Sequence, residues 1–165
     1  PKKKKSKGDT AASPVSKENL AIAKSWLASS DEYNLLVNGT AITAFPVYYQ
    51  NDLALLRQSL RIVQAGTEVA EVKGKDLIPA HGLAMSRLLK TSVFSTEALT
   101  YEQAIAYLRK EAIVLPPSVP KGYVLVTYKE IPLGFVKNIG NRANNLYPQE
   151  WRIRSGYLPD DIRTL

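Results

Sequence analysis

Leu20, Ala23 and Leu27 recur at helical spacing, with Trp26 beside them, and Ser16 stands where a helix N-cap belongs. The pattern then changes. In "YNLLVNGTAITAF" two apolar runs flank Asn38-Gly39, a hairpin signal, because both turn residues must tolerate positive φ. A helical period returns with Leu53, Leu56 and Leu60 on one face, capped by Asn51 or Asp52. "RIVQAG" and "TEVAEVKG" read as two strands over residues 61–78, and Pro79 suits the start of a helix running to about Leu89. These pieces predict one small α+β unit.

A second unit opens on "LTYEQAIAYLRKE". Thr100 with Gln103 three residues on is a capping box, and Tyr101, Ala104, Ile105 and Leu108 form the predicted buried stripe. "PPSVP" interrupts the chain. "GYVLVTYK" and "IPLGFVK" then read as strands joined by a tight turn at Lys129-Glu130. Short strands in so small a unit predict a compact barrel-like sheet.

Composition adds limits. The 165 residues suffice for one domain or two small ones, and 45% hydrophobic with 22% charged describes an ordinary globular chain. No cysteine is present, which excludes disulfides and fits a cytoplasmic protein. No apolar run approaches the ~18 residues of a membrane helix, so no membrane partner is expected. The first residues, "PKKKKSKGDT", are charged without an apolar signal core, and the start without methionine is expected of a piece of a longer chain.

The net charge is +7. Residues 1–30 hold seven Lys/Arg against two acids, residues 31–90 are balanced at six each, and residues 91–165 hold nine against seven. Most of the excess is therefore Lys2–Lys5 and Lys7, within a segment (1–15) expected to be a flexible basic linker. Such a run serves either as a solvated tail or as a nucleic-acid contact.

Catalytic chemistry has little support. His81 is the one histidine, with no cysteine to pair with it, and reads as a packing or capping residue. Zinc-type Cys/His spacing, a P-loop and a G-x-G-x-x-G motif are all lacking, so no catalytic residue, metal or cofactor is assigned. The Asp160-Asp161 pair reads as a solvated tail.

"GFVKNIGNRANNLYPQEW" (134–151) stands apart. Through Arg154 it carries Lys137, Arg142, Arg152 and Arg154 against Glu150, with Phe135, Tyr147 and Trp151 interleaved. Cations neutralise phosphates, aromatics stack on unpaired bases, and asparagines can read base edges or sugars. On this pattern the four cations meet phosphates, Tyr147 stacks as a contact residue rather than core filler, and Asn144 and Asn145 read bases or sugars. The competing reading is structural: Phe135 and Trp151 fill the core, Tyr147 packs beneath the sheet, and the charges are ordinary surface.

"HGLAMS" (81–86), "TYEQAIAYLRKE" (100–111), "GYVLVTYKEIPLGFVK" (122–137) and "NRANNLYPQEWRIR" (141–154), in that order, resemble the C-terminal part of RsmF-like bacterial RNA cytosine-5 methyltransferases of the Nol-Nop-Sun family. The resemblance covers roughly residues 78–155 and is most specific at Leu133-Gly134-Phe135 with Lys137 and at Asn145-Leu146-Tyr147-Pro148. It implies an α+β chain. An intermediate domain over 16–90 would be followed by a PUA-like β pseudo-barrel with helices over 91–165 that binds structured, ribosomal RNA. It also implies a parent enzyme that uses S-adenosylmethionine, with a catalytic domain upstream. That reaction takes cysteines this chain lacks, so the piece would hold RNA and not modify it. The chain departs from the family pattern at Val136, Asn144 and Gln149-Glu150-Trp151, the last two of which lower the positive charge. The alternative is a structural or protein-interaction region packing on the parent's catalytic domain.

Overall fold

The structure is a computed structural model and describes residues 15–154. Most of the basic segment 1–15, and the Asp160-Asp161 pair, lie outside the described residues. The chain forms two units that divide between Lys90 and Thr91, and each is α+β.

In the first unit α1 spans Lys17–Ser25, and the Ser16 hydroxyl accepts from the Asn19 N–H at 3.1 Å, as the sequence predicts. Ala23, Trp26 and Leu27 are buried. Four antiparallel strands follow in meander order: β1 (Tyr33–Asn38), β2 (Ala41–Pro46), β3 (Thr67–Lys73) and β4 (Asp76–Pro79). The first hairpin turns one residue later than expected. Asn38 pairs with Ala41, so Gly39 and Thr40 make the turn, with Gly39 at φ +61°.

Four further expectations fail here for local reasons. α2 spans Gln50–Ser59 and grows out of a 3-10 turn at Val47–Tyr49, so Asn51 and Asp52 sit inside its first turn and cap nothing. Of its expected apolar face only Leu53 is buried; Leu56 and Leu60 are exposed. "RIVQAG" is not a strand. Gly66, at φ +78°, crosses so close to β2 that a methyl group there would meet the Ala44 carbonyl oxygen at 2.2 Å, and regular pairing begins only at Thr67. Pro79 ends β4 instead of opening a helix, and α3 is a single turn, His81–Ala84. The Ser86 hydroxyl closes that turn by donating to the Leu83 carbonyl at 2.9 Å.

The second unit is a βαβ crossover extended by two strands. β5 (Ser95–Ala98) lies parallel to β6 (Gly122–Tyr128), and α4 (Tyr101–Leu108) connects them. β7 (Ile131–Asn138) and β8 (Ala143–Asn145) add antiparallel, giving the order β5-β6-β7-β8. The Thr100–Gln103 capping box forms in both directions, at 3.3 and 3.0 Å. Lys129 (φ +47°) and Glu130 (φ +66°) make the β6–β7 turn, matching the left-handed pair that a two-residue hairpin favours.

Val124, Val126, Val136 and Ala143 of the sheet pack with Ala104 and Tyr107 of α4 and with Leu99, Ile113 and Leu115. Tyr107 is the large buried residue of the helix, and its hydroxyl donates to the Phe135 carbonyl at 3.2 Å. The predicted stripe of Tyr101, Ile105 and Leu108 is only half-buried. The sheet stays open, with β5 and β8 as its edges, where a pseudo-barrel is expected. The short edge strand β8 is flanked instead by the chain after α4, through a bridge between Ile113 and Ala143.

Candidate nucleic-acid interface

Strand register decides where the basic-aromatic segment points. Tyr123 of β6 stands opposite Lys137 of β7, which stands opposite Asn144 of β8, so the three share one face of the sheet. One residue away, Val124, Val136 and Asn145 form the next row on the core face. Asn144 is therefore exposed and Asn145 turned inward, although the sequence presents them as an equivalent pair. On the outer row the Lys137 ammonium sits 5.5 Å from the centre of the Tyr123 ring, a cation–π contact.

Asn145 uses its whole amide inside the unit. Nδ2 donates to the Tyr107 carbonyl at 2.8 Å and the Glu111 carbonyl at 2.9 Å, and Oδ1 accepts from the Tyr147 N–H at 2.9 Å. These bonds tie the segment to the C-terminal end of α4, where the Tyr107 carbonyl also accepts from the Lys110 N–H at 2.9 Å. The Ile153 N–H adds another, to the Leu108 carbonyl at 2.9 Å. Lys110, just past the helix at φ +66°, donates its ammonium to the Tyr147 carbonyl. Burial lowers the Lys110 pKa below its ordinary value, and the Glu150 carboxylate opposes that shift.

Tyr147 is half-buried. Its ring meets that of Tyr107 edge to face, with centroids 5.4 Å apart, and packs against the core cluster. Expected as a surface contact and not core filler, it has a clear packing role. The competing assignment of Phe135 and Trp151 to the core splits as well. Phe135 is buried against Phe94, with ring centroids 4.8 Å apart, whereas Trp151 ends a 3-10 turn with 59% of its surface exposed.

The structure thus turns Arg142, Asn144, Arg152 and Arg154 outward, leaves Lys137 half-exposed on the outer row, and turns Asn145 and Tyr147 toward α4. Lys110 and Tyr107, which seat that inner pair, are not marked by the sequence pattern. Lys110 falls one residue after the helix C-cap Arg109, where a left-handed residue is common, and this is the signal that could have found it. Among the described residues no three His, Cys, Asp or Glu side chains converge on a metal-sized site. Among the same residues no helix is long and apolar enough to cross a membrane.

The second unit is thus an open α+β sheet with Lys137 on β7, Arg142 in the β7–β8 turn and Arg152 and Arg154 beyond β8. Residues 94–153, most of the second unit, match the family model described as the methyltransferase RsmF PUA domain, and with the relatives below this supports an RsmF-like C-terminal region. The chain is 29% identical over 138 residues to ribosomal RNA small subunit methyltransferase F of Enterobacter sp. (strain 638), covering 84% of this chain and 27% of that protein. It is 30% identical over 114 residues to the protein of the same name from Shigella boydii serotype 4 (strain Sb227), covering 69% of this chain and 22% of that one. The chain therefore spans about a quarter of the length of these curated relatives.

Proposed function

We propose that this chain is the non-catalytic RNA-binding portion of a cytoplasmic, S-adenosylmethionine-dependent rRNA (cytosine-5) methyltransferase. In this reading it positions structured ribosomal RNA for a catalytic domain elsewhere in the longer protein. One observation carries the reading. From Ile131 to Arg154 the surface holds Lys137 on β7, Arg142 in the β7–β8 turn and Arg152 and Arg154 beyond β8, against the single acid Glu150. Fixed cations of that density suit a polyanion. The likeness to rRNA methyltransferases makes RNA the polyanion of choice.

Within this proposal Lys137, Arg142, Arg152 and Arg154 contact phosphates, Asn144 is the reader of bases or sugars, and Asn145 and Tyr147 act by positioning the segment. The exposed edge of Trp151 takes the stacking role first given to Tyr147. Methyl transfer belongs to another part of the protein. Binding of this chain to a structured fragment of small-subunit rRNA, followed by fluorescence anisotropy, tests the reading. Saturable binding that exceeds binding to duplex DNA supports it, and equal or absent binding overturns it.

A second reading applies to the first unit. Tyr48 (85% exposed), Val63 (93% exposed), Leu55, Leu56 and Leu60 leave a large apolar area on and around α2. Exposure on that scale suits a protein partner, and the parent's catalytic domain is the proposed one.

A further inference from the structure

Two loops that carry cations are tied together by one buried asparagine. Asn138, at the end of β7, is 5% exposed. Its Nδ2 donates to the Val119 carbonyl at 3.0 Å and the Pro120 carbonyl at 3.1 Å, and its Oδ1 accepts from the Gly140 N–H at 3.0 Å. The amide thus fastens the chain just before β6 to the β7–β8 turn. Lys121 follows Pro120 directly, and its side chain lies along Gly140: a methyl group there would meet Lys121 Cε at 2.9 Å and Nζ at 3.5 Å. Gly140 takes φ +105°, and the turn closes where the Ile139 N–H donates to the Arg142 carbonyl at 3.0 Å.

We infer that Lys121 and Arg142, flanking Gly140, form a phosphate grip for an RNA backbone, with Lys137 on the neighbouring strand row as its third cation. The inference rests on the RNA-binding reading and names the site within it. Charge supports the assignment. Between Ala112 and Gln149 the one acid is Glu130, and it sits with Lys129 in the β6–β7 turn. β6 runs for seven residues between that turn and Lys121, which puts Glu130 roughly 20 Å from the grip. Lys121 and Arg142 thus lie at the opposite end of the hairpin from that carboxylate. The bare glycine between them leaves room for the Lys121 side chain to lie across the turn beside Arg142.

The test measures affinity of the 165-residue chain for a structured rRNA fragment against salt, for wild type, Lys121→Gln, Lys121→Arg, Arg142→Gln and Lys129→Gln. Each glutamine variant at the grip removes one phosphate contact, so its slope of log affinity on log salt falls by about 0.7–0.9. That corresponds to about five- to eightfold weaker binding at ~0.1 M than an unchanged slope extrapolated from ~1 M gives. Lys121→Arg keeps the wild-type slope, and Lys129→Gln, at the far end of the hairpin, leaves it unchanged. These substitutions are at exposed positions, and equal melting temperatures confirm that folding is intact. Wild-type binding with unchanged slopes for Lys121→Gln and Arg142→Gln overturns the grip alone. No RNA binding by the wild type overturns the grip and the RNA reading together. Displacement by polyglutamate as readily as by RNA assigns the site to an acidic protein and also overturns it.

Discussion

The ring of Tyr147 stands edge to face on the buried ring of Tyr107, 5.4 Å from centre to centre. One tyrosine belongs to α4 and the other to the segment leaving β8, so the contact seats the basic-aromatic segment on the helix. Tyr147→Ala is expected to lose about 2–3 kcal/mol of stability, a half-buried share of the usual aromatic deletion. Tyr147→Phe should lose much less. Denaturant melts of the two variants check this, and an alanine variant as stable as wild type contradicts the packing role.

Asn145 makes a sharper case, because all its bonds are internal. Asn145→Asp keeps the acceptor for the Tyr147 N–H but removes the donor that serves the Tyr107 and Glu111 carbonyls, and sets a negative charge against them. A loss of about 2–3 kcal/mol is expected, and a similar one for Asn145→Ala. Hydrogen exchange at the Tyr147 amide should stay slow in the aspartate variant and quicken in the alanine variant.

Tyr107 gives stability a pH dependence of known sign. Burial, and then the neighbouring Tyr147, raise its phenol pKa above the ordinary 10.0. Above pH 10 the unfolded chain loses that proton while the folded one keeps it, so unfolding is favoured as pH rises. The contribution is complete below pH 10 and is lost above it. Chemical denaturation between about pH 9 and pH 11 should show a steeper loss for wild type than for Tyr107→Phe. Parallel curves would contradict the assignment.

The local features of this chain were legible, and the non-local ones were not. The Ser16 cap, the Thr100–Gln103 box and the Lys129-Glu130 turn depend on residues three or fewer positions apart, and all three form. β5 reads "STEA", without apolar alternation, and exists because it pairs in parallel with residues some thirty positions later. The opposite fates of Asn144 and Asn145 follow from a strand of three residues, whose register no local pattern announces. α2 misled because its leucines repeat at helical spacing, yet only Leu53 is buried while Leu56 and Leu60 are exposed. The cations of the candidate site were visible in the sequence. Lys121 was not, because what brings it to Gly140 is the buried amide of Asn138, seventeen residues later.

The central claim is that the folded sheet, rather than the lysine-rich first residues, binds RNA. The direct measurement is the salt dependence of rRNA-fragment affinity for three forms of the chain: wild type, one with Lys2–Lys5 and Lys7 changed to glutamine, and one with Lys137, Arg142, Arg152 and Arg154 changed to glutamine. The account predicts that the first variant keeps saturable binding with a modestly lower slope. The second should lose about 3 from the slope, four contacts at roughly 0.7–0.9 each, and most of its affinity at ~0.1 M salt. Binding that vanishes with the N-terminal lysines and survives loss of the four cations of the second unit would contradict the account.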